Sequence, residues 1–552
     1  AQLTNPNALE GTLAYMSPEQ TGRMNRAIDY RTDFYSLGVT FYEMLTGQLP
    51  FQSNDPLELV HCHLAKQPIA IVQLNPQMPD AIAQIVAKLM AKNAENRYQS
   101  AAGLKADLEY CRVQLDTTGE IVNFTPGVRD RSAQLLIPQK LYGRQAEVAT
   151  LLAAFERVAA VDNFPIPLHQ SKIQNPLAQR RIALSKIELM LVSGYSGIGK
   201  SSLVNEIHKP IVRQKGYFIS GKFDQFKRNI PYVSLIQAFQ SLMRQLLTED
   251  AAKLQKWREK LLAALGSNGQ IIIDVIPEVE LIIGKQPEVP ELGVTESQNR
   301  FNRVFQEFIR VFSQKEHPLV IFLDDLQWAD AASLKLMQLL ITAPDSQYLL
   351  LIGAYRDNEV SHSHPLIQTI EEIQKAGTVI NNIAIKPLNQ IHVDQLIKDT
   401  LNETEKDTQE LSSLLYNKTA GNPFFLTQML NTLYQEKLLN FDFIKGGWKW
   451  NLKQIQAVGI TDLSVVELMS RNISKLPPET QEILKLAACI GDRFKLDVLA
   501  TTSQKPVWQV ASDLWSALQK GLILPLSNDY KVPLLFADAE LKRFNFNDSK
   551  LE

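Results

Sequence analysis

Residues 188–207 read Glu188-Leu-Met-Leu-Val-Ser-Gly194-Tyr195-Ser196-Gly197-Ile198-Gly199-Lys200-Ser201-Ser202-Leu-Val-Asn-Glu-Ile207. An apolar run predicts a buried strand, the glycines predict a tight turn, and the residues from Lys200 onward pattern as an amphipathic helix. Gly194, four residues, then Gly199, Lys200 and Ser201 complete the GxxxxGK[ST] pattern, Walker A, in the strand–turn–helix context it demands. Such a loop curls so that successive main-chain N–H groups point at phosphate oxygens, and the helix adds its positive end. Gly194 through Ser202 are the expected phosphate contacts. Lys200 is expected at the β- and γ-phosphates, and the Ser201 hydroxyl on a Mg²⁺ ion.

A phosphate loop needs an acidic strand beside it. Leu319-Val-Ile-Phe-Leu-Asp324-Asp325 is an apolar strand ending in two carboxylates. In a parallel sheet its carboxyl end opens beside the loop, with Asp324 toward the metal. Asp325 would orient or deprotonate an attacking water. The bland alternative is a pair of acids that ends the strand and caps the next helix. Other strands are expected at Glu188–Ser193, Tyr217–Gly221, Tyr348–Ala354 and Asn382–Ile385, alternating with helical stretches as in βαβ units. Tyr217–Gly221 is expected between the phosphate-loop strand and the Asp-Asp strand. Arg356, just past Leu349–Tyr355, would either face the γ-phosphate and sense its loss or form a surface ion pair.

The chain has 552 residues, enough for about three cores. Hydrophobic residues are 45% and charged residues 21%, a globular balance. With 57 Lys+Arg against 59 Asp+Glu the net charge is −2, so no general affinity for nucleic acid or an anionic membrane is expected. Cys62, Cys111 and Cys489 are too scattered for a disulfide framework. No apolar run spans a bilayer, and the opening residues have no secretory pattern. A cytoplasmic protein is the expectation. The missing initiator Met suggests a fragment.

The motifs Tyr142-Gly-Arg144-Gln-Ala-Glu147, GYSGIGKSS (194–202), LDDLQWAD (323–330), GAYRDNE (353–359) and AGNPFFL (420–426) together resemble the AAA-type ATPase domain of the STAND class. More narrowly they are similar to the ATPase module of large bacterial hybrid kinases. The resemblance covers about residues 140–550 and implies an ATP-dependent switch that engages protein partners in signalling. It implies that Leu141–Arg144 lies near the adenine and that Pro423 of a helical lid packs on the base. The polar segment 160–186 departs from the pattern, and no arginine finger is assigned. Arg300 and Arg303 are weak candidates.

The first hundred residues resemble the C-terminal lobe of a Ser/Thr protein kinase. Gly11-Thr12 through Pro18-Glu19 looks like the end of an activation segment, and Arg31–Phe51 like the long helix after it, with Phe34, Leu37, Phe41 and Met44–Leu45 at helical spacing and Gly47 and Pro50 as its stop. Arg97 matches the arginine that pairs with the Glu19 position. The Gly-rich loop, strand Lys, catalytic loop and metal Asp of a kinase would lie upstream, so residues 1–115 alone are not expected to transfer phosphate. In His61-Cys62-His63, helix packing outweighs metal binding, because no further ligands sit at a matching spacing.

The expected architecture is multidomain. A helical kinase-lobe remnant (1–115) and a linker (116–140) precede an α/β P-loop NTPase core with a parallel sheet (141–390). A helical lid (391–455) and a winged-helix or helical arm (456–552) follow. Three functions stay open: an ATPase switch, a nucleotide-binding scaffold without turnover, and a fragment of an active Ser/Thr kinase.

Overall fold

The computed structural model describes residues 13–21, 28–53, 56–128, 130, 134–159, 187–208, 211, 216–225, 228, 230–247, 249, 251–343, 345–442, 447–457, 465–491, 494–519 and 522–523. The expectations placed on Gly11 and Thr12, on the 160–186 segment and on the last 29 residues lie outside them. The chain divides into two compact units, one of residues 9–452 and one that takes in 453–552. No helix among the described residues is long and apolar enough to cross a membrane.

The centre of the larger unit is a five-stranded parallel sheet: β1 (Ile187–Ser193), β2 (Tyr217–Lys222), β3 (Leu319–Asp324), β4 (Leu349–Tyr355) and β5 (Ile380–Ala384). The spatial order is β2-β3-β4-β1-β5. This corrects one expectation: β2 is an edge strand, and β4 is what separates the phosphate-loop strand from the Asp-Asp strand. Each inner strand is apolar on both faces because both faces are covered. Met190, Val192, Val320, Phe322, Leu350 and Ile352 pack toward Leu151, Phe155, Leu203 and Val204. Leu189, Leu191, Ile321, Leu323, Leu349 and Leu351 face the opposite core, which includes Leu235, Phe239, Phe305, Leu334 and Met337.

Past the sheet the chain forms helices Gln390–Leu401, Glu405–Thr419 and Pro423–Gln435. An antiparallel hairpin follows, β6 (Leu439–Asp442) with β7 (Gly447–Trp450), where helix alone was expected. In the smaller unit, helices Val465–Ser474, Pro478–Ile490, Leu496–Ser503 and Val507–Gln519 are described, with Ile483, Ala487, Leu499, Val510 and Leu514 in one core.

The N-terminal lobe is built on helix Arg31–Thr46, ended by Gly47 in a left-handed conformation (φ 72°). Tyr35, Val39 and Tyr42 are buried on it, an i, i+4, i+7 set, and of the residues expected at helical spacing Phe41 and Leu45 pack on the same cluster. Met44 is 73% exposed. The aromatic residues chosen from sequence lie one step round the helix, where Phe34, Leu37 and Phe41 pack on a second cluster around Leu89 and Tyr98. His63 is taken up by packing: its Nδ1 lies 3.0 Å from the Tyr35 hydroxyl, its ring stands edge-on to Phe51, and burial pushes its pKa down to about 4.

Arg97 is fully buried and spends its fork on Glu19, with Nη1 to Oε1 at 2.6 Å and Nη2 to Oε2 at 2.8 Å. Its Nε donates to the Ala91 carbonyl at 2.8 Å, and Nη1 also donates to the Arg31 carbonyl at 2.9 Å. Burial would raise the Glu19 pKa, but the hydrogen bonds and charge of Arg97 outweigh it and hold the carboxyl below its ordinary value. Its stabilisation is therefore present above the unfolded-state pKa of about 4.3 and is lost as pH falls through the lower folded value. Arg97→Met leaves Glu19 charged and buried, and is expected to cost about 3–5 kcal/mol in the lobe. Hydrogen exchange of the Arg31–Thr46 amides reads this. Unchanged protection at neutral pH would show that the pair does not hold the lobe together.

Candidate functional site

The parallel register brings four chain exits to one edge of the sheet. Ser193 lies level with Tyr355, Leu323 with Gly353, and Lys222 with Asp324. The residues that follow, Gly194, Phe223, Asp325 and Arg356, therefore leave side by side. In the loop from Gly194, Gly199 sits at φ 99°, a left-handed conformation that a side chain resists, and it delivers the chain into the helix beginning at Lys200. Gly197 has no room for a Cβ, which would lie 2.8 Å from Cβ of Phe424. Ile198 is buried as the loop's apolar anchor, Tyr195 is exposed, and Ser202 lies in the helix.

Lys200 is 8% exposed, and its Nζ donates to the carbonyls of Gly194 at 2.8 Å and Tyr195 at 3.0 Å. Burial lowers its pKa, against the opposing pull of Asp324 and Asp325. Ser201 Oγ donates to Asp324 Oδ2 at 2.8 Å. The loop and the acidic strand expected from sequence thus meet through a hydroxyl and a carboxylate. Burial raises the Asp324 pKa, Asp325 adds to the rise, and the Ser201 hydrogen bond and Lys222 oppose it.

Asp325 is buried and left-handed (φ 55°, ψ 46°). Its Oδ1 lies 3.3 Å from Arg356 Nε and its Oδ2 lies 3.7 Å from Lys222 Nζ. Neither acid caps the following helix: Asp330 does, accepting from the Ser333 N–H at 2.8 Å. Of the two alternatives for Arg356, the ion pair is present. It reaches Asp325, and it also pairs with Glu359 at 2.7 Å and lies over the Trp328 ring at 4.7 Å.

One residue went unremarked in the sequence, and another was noted only as part of the 420–426 motif. Gln327 is 2% exposed, donates from Nε2 to Asp325 Oδ1 at 2.9 Å, and accepts the Arg356 N–H on Oε1 at 3.2 Å. Nothing in sequence distinguishes a buried bridging amide from an ordinary loop polar residue. Asn422 was legible in part, because Asn before Pro reads as a helix start. Its Oδ1 caps the N–H groups of Phe424 and Phe425, and its Nδ2 donates to the Ser196 carbonyl at 3.0 Å. The Phe424 N–H also donates to the Gly197 carbonyl at 3.3 Å. Pro423 begins this lid helix, but the residues on either side of it, Asn422 and Phe424, make the bonds to the phosphate loop. Tyr142 of the 141–144 segment donates to Asp399 Oδ2 at 2.9 Å, and Arg144 Nη2 to the Lys386 carbonyl at 2.5 Å.

Residues 169–352 match the model of an AAA ATPase domain, and residues 1–108 match that of the protein kinase domain. Over nearly its whole length the chain is similar to eukaryotic histidine kinases. "Hybrid signal transduction histidine kinase G" of Dictyostelium discoideum is 33% identical, covering 93% of this chain and 16% of the relative. "Peroxide stress-activated histidine kinase mak3" of Schizosaccharomyces pombe is 24% identical, covering 94% and 24%. The chain therefore spans less than a quarter of each relative's length. The kinase lobe alone is 41% identical to "Serine/threonine-protein kinase PknB" of Mycobacterium leprae, over 19% of this chain and 17% of that one. Among solved structures, a Walker-type ATPase of Pyrococcus abyssi aligns over 68% of this chain and 89% of its own at 15% identity and a TM-score of 0.29, too low to bear on the fold. The chain thus holds a segment similar to an AAA ATPase domain and, ahead of it, one similar to part of a protein kinase domain.

Proposed function

We propose that residues 141–390 bind ATP and hydrolyse it slowly with Mg²⁺, acting as a STAND-type switch in a cytoplasmic signalling kinase that engages other proteins and no nucleic acid. The observation that carries this reading is the 2.8 Å contact of Ser201 with Asp324 at the head of the Lys200 helix. A hydroxyl and a carboxylate so placed are hard oxygen donors, the kind Mg²⁺ takes in ones and twos while its other positions go to phosphate and water. When bound, Mg²⁺ supplies neutralising charge at the β- and γ-phosphates.

The chain's own residues do the rest. Main-chain N–H groups from Gly194 to Ser202 wrap the phosphates. Lys200 exchanges two neutral carbonyls for phosphate oxygens, a stronger partner because both sides are charged. Asp325 orients a water and accepts its proton as the water oxygen bonds to the γ-phosphorus. The bond from that phosphorus to the β–γ bridging oxygen breaks, and ADP leaves with the electron pair. Arg356 senses the γ-phosphate, and Pro423 of the lid packs on the base. The kinase lobe is structural in this piece. Phosphate transfer to protein would need kinase elements outside it. The whole-chain relatives are eukaryotic, while the kinase lobe resembles a bacterial Ser/Thr kinase, so the hybrid setting is proposed without restriction to bacteria.

One observation favours the scaffold alternative, nucleotide binding without turnover: both Asp325 oxygens face cations, Arg356 and Lys222. Phosphate release separates the two readings. Lys200→Ala is expected to weaken ATP binding about 10–100-fold, the worth of hydrogen bonds to a charged group. Asp325→Asn should keep binding and lose about 10²–10⁴-fold in kcat. ATP binding with no phosphate release by the unmodified chain would select the scaffold.

Asp324 supplies a separate check. Its folded pKa lies above the unfolded value, so its burial costs no stability below the ordinary carboxylate pKa and costs most above the raised one. Asp324→Asn should therefore raise the melting temperature of the nucleotide-free chain at neutral pH, with the gain vanishing in acid. The same variant should lose the extra stabilisation that Mg²⁺ gives over ATP alone. A variant that melts lower and still responds to Mg²⁺ would remove Asp324 from the proposed metal shell.

A further inference from the structure

The turn after β3 holds a buried amide that the steps above leave unused. Gln327 joins the acid and the arginine of the proposed site at once, through Nε2 to Asp325 Oδ1 at 2.9 Å and Oε1 from the Arg356 N–H at 3.2 Å. Its own main chain is held as firmly. The Gln327 carbonyl lies 3.3 Å from Arg228 Nη2 and 3.1 Å from His364 Nε2. His364 Nδ1 accepts the Leu366 N–H at 3.2 Å, which leaves the proton on Nε2 and makes that nitrogen a donor to Gln327. Asp325 has two cations in reach, Arg356 at Oδ1 and Lys222 at Oδ2. The amide adds a short, directed, uncharged bond that fixes the plane of the carboxylate while leaving its charge intact.

We propose that Gln327 is a positioning residue for hydrolysis, one that sets the Asp325 carboxylate and ties it to the backbone of Arg356, so that a shift of Arg356 at the γ-phosphate is felt at the acid that handles water. This rests on the hydrolytic reading above. The amide serves because it donates to an acid and accepts from an N–H in the same plane. Alanine does neither, and glutamate at this place would set a second carboxylate against Asp325.

The test is steady-state ATP hydrolysis by the whole 552-residue chain with Mg²⁺, for wild type, Gln327→Ala and Gln327→Glu. Binding of a fluorescent non-hydrolysable ATP analogue and thermal melting are measured alongside. Gln327→Ala should lower kcat about 10–100-fold, the penalty of a misplaced catalytic group, with KM within about twofold. Gln327→Glu, close in shape but as a carboxylate unable to donate to Asp325, should lose kcat in the same way with KM kept. A residue that only supported the fold would lower the melting temperature without this split of kcat from KM. Wild-type kcat in both variants overturns the positioning role, as does a loss that merely follows weakened binding or melting. If Gln327→Ala does not fold, the near-isosteric Glu variant decides by its kcat at unchanged KM. A wild-type chain that binds ATP and releases no phosphate overturns the hydrolytic reading itself, whereas an active wild type with indifferent variants overturns only the role of Gln327.

Discussion

The hydrogen bond between Ser201 and Asp324 depends on one constraint, the parallel register that ends β1, β3 and β4 at a common edge. Residues 123 apart in sequence meet because each is delivered by a strand whose length is set by burial on both faces. Parallel strands with covered faces cannot slip by one residue without turning an apolar side chain toward a polar loop. The crossing is tight enough to choose residues: a Cβ at Gly353 would lie 2.3 Å from Leu326 Cδ1, so β4 must be bare where the turn after β3 passes. Change that register and the phosphate loop faces no acid.

The same edge explains the electrostatics. Lys200 is held by two carbonyls, Lys222 and Arg356 face Asp325, and Asp324 accepts from the Ser201 hydroxyl and the Asp325 N–H. The site is thus held in a closed set of internal contacts. On the proposed reading, a highly charged phosphate group would compete for the cations and leave the acids to a metal and a water. Burial raises the energy of these charges, and this makes them exchangeable: a desolvated lysine held by two neutral carbonyls gives them up for phosphate oxygens more readily than a solvated one gives up water.

Much of this was legible in the sequence, and the reasons for the rest are physical. Glycine spacing, a flanking apolar run and the Asp324-Asp325 pair are local signals, and the structure brings those residues together. The Glu19–Arg97 pair was legible from resemblance alone, since 78 residues separate the partners. Strand order was not legible: a run such as Tyr217–Lys222 reads the same at an edge or in the middle, and crossover helices hide which neighbours pair. Nor was the hairpin of β6 and β7, whose strands of four residues each fall within the reach of helical patterns. In Arg31–Thr46 the spaced apolar residues marked the helix but not the tyrosines with bonded hydroxyls that fill its most buried face. Tyr42 donates to the Ile69 carbonyl at 2.8 Å, so a polar tip does not bar a residue from the core.

The helices from Gln390 to Gln435 and residues 139–142 give the phosphate-loop region a physical connection to the N-terminal lobe. From the phosphate loop, Ser196 and Gly197 carbonyls hold Asn422 and Phe424 at the start of the last lid helix. Asp399, at the far end of the first lid helix, takes Tyr142 at 2.9 Å and Lys140 as an ion pair. One residue earlier, the Gln139 N–H donates to Glu95 Oε1 at 3.1 Å, two residues from Arg97 in the kinase lobe. A cavity of about 320 Å³, lined in part by Glu95, Lys140, Asp399 and Trp448, lies along this seam. Contiguity alone does not transmit a signal, since a contact path needs an element with two arrangements to carry free energy. The lid is the element that touches both ends. Asn422 and Asp399 lie on different helices of this group, while Glu95 sits in the same short segment as the Arg97 that fastens Glu19. These bonds fall close together, at residues 139, 140 and 142, where the linker ends and the next segment begins.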